Sequence, residues 1–387
     1  MNSSKFKDVI DMKLVVNPSI NVSPFCYSIF RVEPYSTCTH ACVYCFGRWY
    51  RIRDYIQNKP LYDFINEFKL TIKKLKRLNL KSIPFRLSTL VDPFQPIEKE
   101  YRLSRYVMRL CHKFDMPLII NTKAVMLMED NYLQVLKKLH DKEIVIVQVS
   151  LSTINEKIAK VIEPNAPSPY ERLKMCERLS SEGVPVIVRL QPFIPGITDF
   201  EIEEIIKQCK YVDVKQIIVE ALRDEVENLK VFKEVAYDKS MYESSDKWTS
   251  YSPSVQLPTR IVRPCSEWKL RIFEKVKELC IKYGIEFSTC KEGFYHLHTA
   301  KNCCGMHFMS QNKYVLRLTL QEVWNYYNKY GRLPRFEELT HELDEIMYIY
   351  DSKLRNYPRN LRRGLIHHEK ILRRILNEKV NMFLGRC

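Results

Sequence analysis

The sequence is short of glycine and has no long apolar run. Only 9 of its 387 residues are Gly, about 2% where roughly 7% is usual. It contains neither a G-x-G-x-x-G motif nor a Walker A loop, which argues against the nucleotide-binding folds that need those glycine-rich turns. No segment approaches the roughly 18 consecutive apolar residues of a membrane span, and the first residues lack the apolar core of a secretory signal. We therefore expect a cytoplasmic protein that does not enter a membrane.

Acidic residues are outnumbered as well. The chain has 62 Lys and Arg against 46 Asp and Glu, a net charge of +16. Residues 352–387 alone hold ten basic and two acidic side chains, a net of +8. Such a segment can attract the phosphates of a nucleic acid, although a solvated helix face or a surface for another partner accounts for the same charge.

Cysteine, by contrast, is plentiful. Thirteen cysteines, an odd number, in a chain without a secretory signal favour metal or redox chemistry over a disulfide framework. Cys38, Cys42 and Cys45 have the spacing C-x3-C-x2-C, which lets three thiolates converge on one iron–sulfur cluster. A zinc site that uses these cysteines together with His40 is the alternative.

Short β-rich runs alternate with helical patterns from about residue 27 to residue 290. Several runs are apolar almost throughout, as expected for strands buried on both faces of a parallel sheet. The alternation predicts right-handed crossovers, and therefore an α/β fold: a partial or complete parallel β/α (TIM-like) barrel of six or more units. The predicted strands are Tyr27–Glu33, Pro84–Thr89, Pro117–Thr122, Ile144–Ser150, Pro185–Leu190, Gln216–Ala221 and Ile285–Thr289.

Outside the barrel, we predict the segments of the chain from the polarity of their residues and from the helical period of their apolar residues. Residues 224–259 are polar and interrupt the β/α pattern, and the strands are expected to stop after Met306. Helices are then predicted over Leu320–Tyr330, Phe336–Leu354 and Leu361–Leu384. The predicted divisions are an N-terminal extension (1–25), the β/α core (26–223), an insertion or lid (224–259), the end of the barrel with a second cysteine group (260–306) and a basic helical C-terminal extension (307–387).

The three-cysteine segment resembles the radical S-adenosylmethionine (SAM) superfamily. The motif C-x3-C-x2-C, with the aromatic Tyr44 before the third Cys, follows the first predicted strand. The resemblance implies a 4Fe–4S cluster on Cys38, Cys42 and Cys45, with Tyr44 packed against the cofactor. It also implies reductive cleavage of SAM to a 5′-deoxyadenosyl radical, and an electron donor of the ferredoxin or flavodoxin type.

Further segments resemble the spore photoproduct lyase-like subgroup of that superfamily. They are Asp92–Glu98 (DPFQPIE), Asn121–Ala124 (NTKA) and Glu163–Pro169 (EPNAPSP), and the similarity spans about residues 30 to 223. A photoproduct lyase carries a hydrogen-donating cysteine beside the serine that ends strand 2. The corresponding segment here, Arg86–Thr89 (RLST), has no thiol. Thymine-dimer repair by this chain would therefore need another hydrogen donor.

The resemblance also implies a cofactor site at the C-terminal ends of the strands, where β/α barrels gather their chemistry. Ser88 is a candidate partner of the SAM amino group and Lys123 of its carboxylate. Arg189 is a candidate for the carboxylate or for substrate. The complete candidate set is Tyr44, Ser88, Thr89, Asp92, Lys123, Ser150 and Arg189.

A second group of cysteines follows the last predicted strand. Cys290 ends that strand, and Cys303 and Cys304 come shortly after it. They are candidates for a second metal site, or for a thiol that quenches a substrate radical. The alternative is that they are ordinary packed thiols.

We therefore predict a radical SAM enzyme that abstracts hydrogen from an unreactive C–H bond. One hypothesis makes the substrate a nucleic acid, bound through the basic C-terminal segment. The other makes it a small molecule or peptide. A zinc-stabilised nucleic-acid-binding protein is the non-enzymatic alternative.

Overall fold

The computed structural model describes residues 13–50, 58–251 and 261–378. Parts of three predicted segments lie outside these ranges: residues 1–12 of the N-terminal extension, residues 252–259 of the insertion and residues 379–387 of the basic extension. None of the helices within the described ranges combines the length and apolarity that a membrane crossing requires.

Strands and helices alternate through the first three quarters of the chain, as the hydrophobic pattern predicts. The strands are β1 (Phe30–Val32), β2 (Phe85–Leu87), β3 (Leu118–Thr122), β4 (Val145–Ser150), β5 (Val186–Phe193), β6 (Gln216–Ala221), β7 (Asp224–Glu225), β8 (Trp248–Ser250), β9 (Ile261–Pro264), β10 (Glu286–Thr289), β11 (Leu316–Arg317) and β12 (Tyr348–Ile349). The helices are α1 (Tyr62–Arg77), α2 (Glu98–Tyr101), α3 (Leu103–Phe114), α4 (Asp130–His140), α5 (Glu156–Ile162), α6 (Pro169–Ser181), α7 (Thr198–Tyr211), α8 (Leu229–Val235), α9 (Ser266–Tyr283), α10 (Leu320–Tyr330), α11 (Phe336–His341) and α12 (Arg359–Glu378).

Seven of the strands form one parallel sheet in the order β1-β2-β3-β4-β5-β6-β10. The first and last strands in this order are the two edges, so the sheet is a partial barrel. Helices pack on its convex side, and the C-terminal helices follow the barrel. The predicted fold class is confirmed.

The side chains inside the barrel lie in layers, because residues two apart on a strand point to the same face. One layer consists of four buried isoleucines from β3 to β6: Ile119, Ile146, Ile187 and Ile218. Burying each of them contributes on the order of 1.5–3 kcal/mol. The residue two positions later on each of these strands is polar, so the layer nearer the C-terminal edge carries hydrogen-bonding groups: Asn121, Gln148, Arg189 and Glu220.

Residues 224–259, which the sequence predicts to be an insertion or lid, contribute a small domain beside the barrel. Strands β7, β9 and β8 form an antiparallel sheet, and Phe232 of α8 and Trp248 of β8 share a buried cluster with Tyr44 of the cysteine loop. The described part of this segment therefore packs against the loop that carries the three cysteines.

The C-terminal region departs from the sequence prediction at two points. Strands do not stop after Met306, because β11 and β12 pair in parallel. The predicted helix Phe336–Leu354 is wrong as well: α11 ends at His341, and the chain then enters β12. Glu342, Asp344 and Glu345 follow His341 and interrupt the apolar period that a helix would need against the core.

Helix α12 is amphipathic and docks on the rest of the protein. Its buried stripe includes Leu361, Leu365 and Leu372. His368 lies on the same stripe, with Nδ1 2.8 Å from the Ser23 hydroxyl and Nε2 2.9 Å from the Val16 carbonyl oxygen. Burial lowers the pKa of His368 to about 3, so this histidine is a neutral structural residue.

Candidate active site

The three motif cysteines lie on the loop between β1 and α1, at the C-terminal edge of the sheet. All three are free thiols and partly exposed. Ala41 has a left-handed backbone (φ 54°), and the Cys45 N–H donates to the Cys42 carbonyl at 3.1 Å. These two features reverse the chain, so that the thiols lie near each other. Burial raises the pKa of Cys42 to about 12 and that of Cys38 to about 11.

This donor set has the chemistry that a metal cluster with three thiolate ligands requires. Within residues 13–50, 58–251 and 261–378, no three His, Cys, Asp or Glu side chains already surround one point that a metal ion can occupy. The thiols of the loop would therefore have to turn inward on binding, as expected where metal binding completes the order of a site. The Lys123 ammonium lowers the pKa of Cys42, against the effect of burial, and so favours its thiolate.

Tyr44 belongs to a buried charged network beneath the loop. Its hydroxyl donates to Glu163, which also pairs with the buried Arg172. Lys123 Nζ lies 3.8 Å from the Glu163 carboxylate and 5.4 Å from the centre of the Tyr44 ring. Burial alone would raise the pKa of Glu163, but Arg172 and Lys123 outweigh it and lower that pKa. Glu163 therefore brings together two of the predicted site residues, Tyr44 and Lys123. Glu163 itself was predicted only as part of the motif Glu163–Pro169.

Asp92 is the junction between three loops. Its carboxylate accepts hydrogen bonds from the Thr122 hydroxyl at 2.9 Å, the Lys123 N–H at 2.6 Å and the Phe94 N–H at 2.9 Å. His40 Nε2 of the cysteine loop lies 3.4 Å from the same carboxylate. Burial would raise the pKa of Asp92, but His40 and these N–H donors lower it to about 2. His40, the candidate zinc ligand, therefore faces a carboxylate that connects the cysteine loop to the end of β3.

Ser88 and Thr89 converge on Glu33, which is not among the predicted site residues. The Ser88 hydroxyl donates to one carboxylate oxygen of Glu33. The other oxygen accepts from the Thr89 hydroxyl at 2.5 Å and the Thr89 N–H at 2.7 Å. Burial raises the pKa of Glu33. Its position in the sequence could have identified Glu33 as a site residue. Glu33 directly follows the apolar strand β1, so it lies at the same edge of the sheet as Ser88, which directly follows β2.

Ser150 and Arg189 are register partners at the ends of β4 and β5. The Arg189 guanidinium donates to Gln148 Oε1 at 2.6 Å and to Gln191. Among the described residues, the buried Gln191 Nε2 has no hydrogen-bond partner. A buried donor without a partner lowers the stability of the fold by about 1–3 kcal/mol. A ligand at the mouth of the barrel can therefore accept a hydrogen bond from Gln191 Nε2.

A cluster of positive charge lies beside this mouth. The Glu220 carboxylate lies 3.0 Å from Lys291 Nζ and 3.3 Å from the Arg223 guanidinium. Arg223 also stacks against Phe46, which follows Cys45, with 4.9 Å between the guanidinium carbon and the ring centre. One carboxylate thus faces two cations here, and Arg189 lies on the neighbouring strand.

The second cysteine group lies inside the barrel. Cys290, Cys303 and Cys304 are buried against the isoleucine layer. The sulfurs of Cys303 and Cys304 are 3.7 Å apart, and the Arg86 guanidinium donates to Cys304 at 3.1 Å. The hydrogen bond between the two thiols lowers the pKa of Cys304 and raises that of Cys303. The Arg86 guanidinium therefore stabilises negative charge on Cys304, and Cys303 is the thiol that more readily keeps its proton.

Comparison with known proteins assigns the N-terminal half to a family. Residues 32–209 match the model of the radical SAM superfamily. Protein ORF301 of Acidianus two-tailed virus, whose function is uncharacterized, is 27% identical over 216 residues, which cover 52% of this chain and 70% of the viral protein. The uncharacterized protein Rv2578c of Mycobacterium tuberculosis is 29% identical over 189 residues, 47% of this chain and 54% of that protein. The chain thus spans about half the length of the mycobacterial relative.

A solved structure shares the fold. Spore photoproduct lyase complexed with a dinucleoside spore photoproduct superposes with a TM-score of 0.51, at 12% identity, over 68% of this chain and 78% of the lyase. At this identity the likeness concerns the fold alone. It supports the partial barrel as the scaffold that presents the residues described above.

Proposed function

Because this chain belongs to the radical SAM superfamily, we propose that Cys38, Cys42 and Cys45 hold a 4Fe–4S cluster and that SAM binds beside it. The observation that carries the proposal is the placement of three free thiols at the C-terminal edge of a seven-stranded parallel sheet. When bound, cluster and SAM supply an electron and a 5′-deoxyadenosyl radical that abstracts hydrogen from a substrate. The protein is an enzyme of this class, and its own residues bind, orient and shield the reactants.

The proposed SAM contacts divide into direct and positioning residues. Lys123, which lies beside Cys42 and Tyr44, supplies a point charge for the SAM carboxylate. Ser88 and Thr89 orient the Glu33 carboxylate, which can accept hydrogen bonds from the SAM amino group. Asp92 keeps the cysteine loop against β3 through His40, so we propose it as a positioning residue.

The mouth of the barrel supports a substrate or cofactor with a negative charge. Arg189, Arg223 and Lys291 lie around the carboxylate of Glu220, and Gln191 Nε2 supplies a further donor beside Arg189. Ser150, the register partner of Arg189, adds a hydroxyl at the same edge. We propose that these groups bind a phosphate or carboxylate, which nucleic acids and many small molecules both carry.

For the second cysteine group we propose the thiol role rather than the metal role. Cys304 is already bound to Arg86, and Cys303 keeps its proton next to it. The Cys303 S–H bond can break homolytically to give its hydrogen atom to a substrate carbon radical, so that a C–H bond forms and a thiyl radical remains. An electron donor of the ferredoxin or flavodoxin type, together with one proton, restores the thiol. This would supply the hydrogen that the segment Arg86–Thr89 cannot.

A nucleic-acid substrate bound through the basic residues 352–387 stays a prediction. Removing this segment is not a clean test, since Leu361, Leu365 and His368 of α12 are buried. Replacing the exposed Arg359, Arg363 and Lys370 by Glu changes the charge without removing the packed face. Weaker binding of a labelled DNA or RNA by this variant, with a reduced dependence on salt, would support the hypothesis.

Anaerobic reconstitution tests the proposed function most directly. We expect a brown protein with about four irons and four sulfides per chain, which forms 5′-deoxyadenosine and methionine from SAM after reduction. Cys42→Ala should abolish cluster binding and SAM cleavage. Cys176→Ala, which removes a buried thiol of α6, is the matched control and should retain both. A colourless protein that holds zinc instead, or a Cys42→Ala variant that cleaves SAM at the original rate, would contradict the proposal.

A further inference from the structure

A basic groove lies on the outer face of the barrel, between α1, α3 and α4. It has a volume of about 650 Å³. Five cationic side chains line it, Lys69 and Lys73 from α1, Arg109 and Lys113 from α3 and Lys138 from α4. In the part of the chain that the structure describes, no acidic side chain lines this groove. Three helices that are separate in sequence thus contribute charge of one sign to one concavity.

Ion pairing on the same helices shows that the groove differs from the surrounding surface. Lys76 of α1 and Lys142, just after α4, both pair with Asp115, at 2.5 and 2.7 Å, and Lys137 of α4 pairs with Glu182 at 2.5 Å. Of the five groove cations, none has a carboxylate within 4.0 Å among residues 13–50, 58–251 and 261–378. Their charge is therefore available to an anionic partner.

An exposed aromatic ring distinguishes between anionic partners. Tyr106 of α3 lines the groove, is 37% exposed and lies 5.9 Å from Lys69 Nζ, measured to the ring centre. Aromatic rings set among cations in a groove are the arrangement that binds single strands, because phosphates meet the cations and bases stack on the rings. A protein surface rich in carboxylates would pair with the cations but has no bases to stack on the ring.

We infer that this groove binds the backbone of single-stranded nucleic acid, with Tyr106 as a stacking platform. The site is separate from the reaction centre. Helices α1, α3 and α4 run back from the C-terminal edge of the sheet, and the five groove cations lie in the middle or later turns of these helices, while Tyr106 lies in the first turn of α3 with its ring exposed. The inference does not rest on the proposed function, because it needs neither cluster nor SAM.

Fluorescence anisotropy with a labelled single-stranded DNA tests the inference. A probe of about 20 nucleotides exceeds the roughly 4–16 nucleotides that such sites cover. If all five cations contact phosphates, the plot of log K against log salt should have a slope of about −3.5, at about 0.7 per contact. The triple variant K73E/R109E/K138E should bind at least about 30-fold more weakly and reduce that slope to about −1.4.

The matched control changes net charge by the same amount elsewhere. Lys160, Lys174 and Lys230 are exposed on α5, α6 and α8, and K160E/K174E/K230E should bind within about threefold of the parent chain, because its groove is intact. Equal losses in the two triple variants would overturn the inference, since net charge alone would then explain binding. No binding of the probe at low salt would overturn it as well.

A single substitution separates nucleic acid from other polyanions. Tyr106→Ala should weaken DNA binding about tenfold, within the range for loss of one base stack, and leave binding of inorganic polyphosphate unchanged. Tyr211→Ala removes an exposed ring of α7 and is the control. Unchanged DNA binding by Tyr106→Ala, or equal loss for polyphosphate, would contradict the stacking role and with it the single-stranded partner.

Discussion

The two groups of cysteines differ in how the fold brings them together. Cys38, Cys42 and Cys45 are close because eight residues of sequence and one loop contain them all, and each is partly exposed. Cys303 and Cys304 approach Arg86 only because the chain after β10 enters the barrel, more than 200 residues after β2. The first group can therefore be predicted from spacing, whereas the second depends on packing.

The two groups also differ in what surrounds them. The loop is held by two buried carboxylates beneath it, Asp92 through His40 and Glu163 through Tyr44. The thiols inside the barrel lie on the apolar isoleucine layer, and the Arg86 guanidinium donates to Cys304. Accessible thiols on a loop suit the ligation of a cofactor, and buried thiols in a fixed lumen suit chemistry on a bound substrate. Four measurements test whether the two groups differ in this way.

The largest effect should separate the two groups by iron content. Replacing Cys38, Cys42 and Cys45 together by Ala should reduce reconstituted iron from about four per chain to background, because every thiolate ligand is lost. Replacing Cys290, Cys303 and Cys304 by Ala should leave iron unchanged and SAM cleavage intact. Iron analysis and 5′-deoxyadenosine yield are the measurements. Loss of about half the iron in the second variant would show instead that those thiols hold a second cluster.

The next effect concerns the support of the loop. Glu163→Gln leaves the buried Arg172 without its counterion, so the free energy of unfolding should fall by about 3–5 kcal/mol. Glu182→Gln is the matched control, because Glu182 pairs with Lys137 and Arg178 on the surface, where water screens the charges. Urea unfolding of both variants gives the comparison. Equal losses would mean that the buried network does not stabilise the loop more than a surface pair does.

The contrast between loop and lumen also explains how far the sequence could predict this molecule. The strands of the barrel and the motif cysteines follow from local pattern, since apolar runs and thiol spacing need no knowledge of distant contacts. Glu33 was missed because its role depends on Ser88 and Thr89, which are far away in sequence. The helix predicted over Phe336–Leu354 failed for a related reason: α11 ends at His341, and pairing with β11 then draws β12 into a strand.

Asp92 should show its role in the dependence of stability on pH. Its pKa in the folded protein is about 2, against 3.8 for the ordinary side chain, which corresponds to about 2 kcal/mol of stabilisation. Because the folded pKa is the lower one, this stabilisation is present above pH 4 and is lost as the pH falls toward 2. Asp92→Asn should therefore lower the free energy of unfolding at pH 7 by about 2 kcal/mol and flatten its decline in acid. Unfolding curves for parent and variant with identical acid limbs would contradict this role.

The smallest effect tests whether the lumen really stabilises a thiolate. The hydrogen bond from Cys303 and the charge of Arg86 lower the pKa of Cys304, so its alkylation by iodoacetamide should reach its midpoint at a lower pH than that of an ordinary thiol. Arg86→Gln keeps a hydrogen-bond donor but removes the charge, and should move that midpoint upward by about one unit or more. Mass spectrometry of the alkylated peptide follows Cys304 alone, and the buried Cys111 of α3 is the internal control, since burial raises its pKa and should keep it unreactive. An Arg86→Gln profile that overlays the parent would mean that Arg86 does not stabilise the Cys304 thiolate. A midpoint above pH 8 in the parent chain would mean that the thiols inside the barrel are ordinary packed thiols.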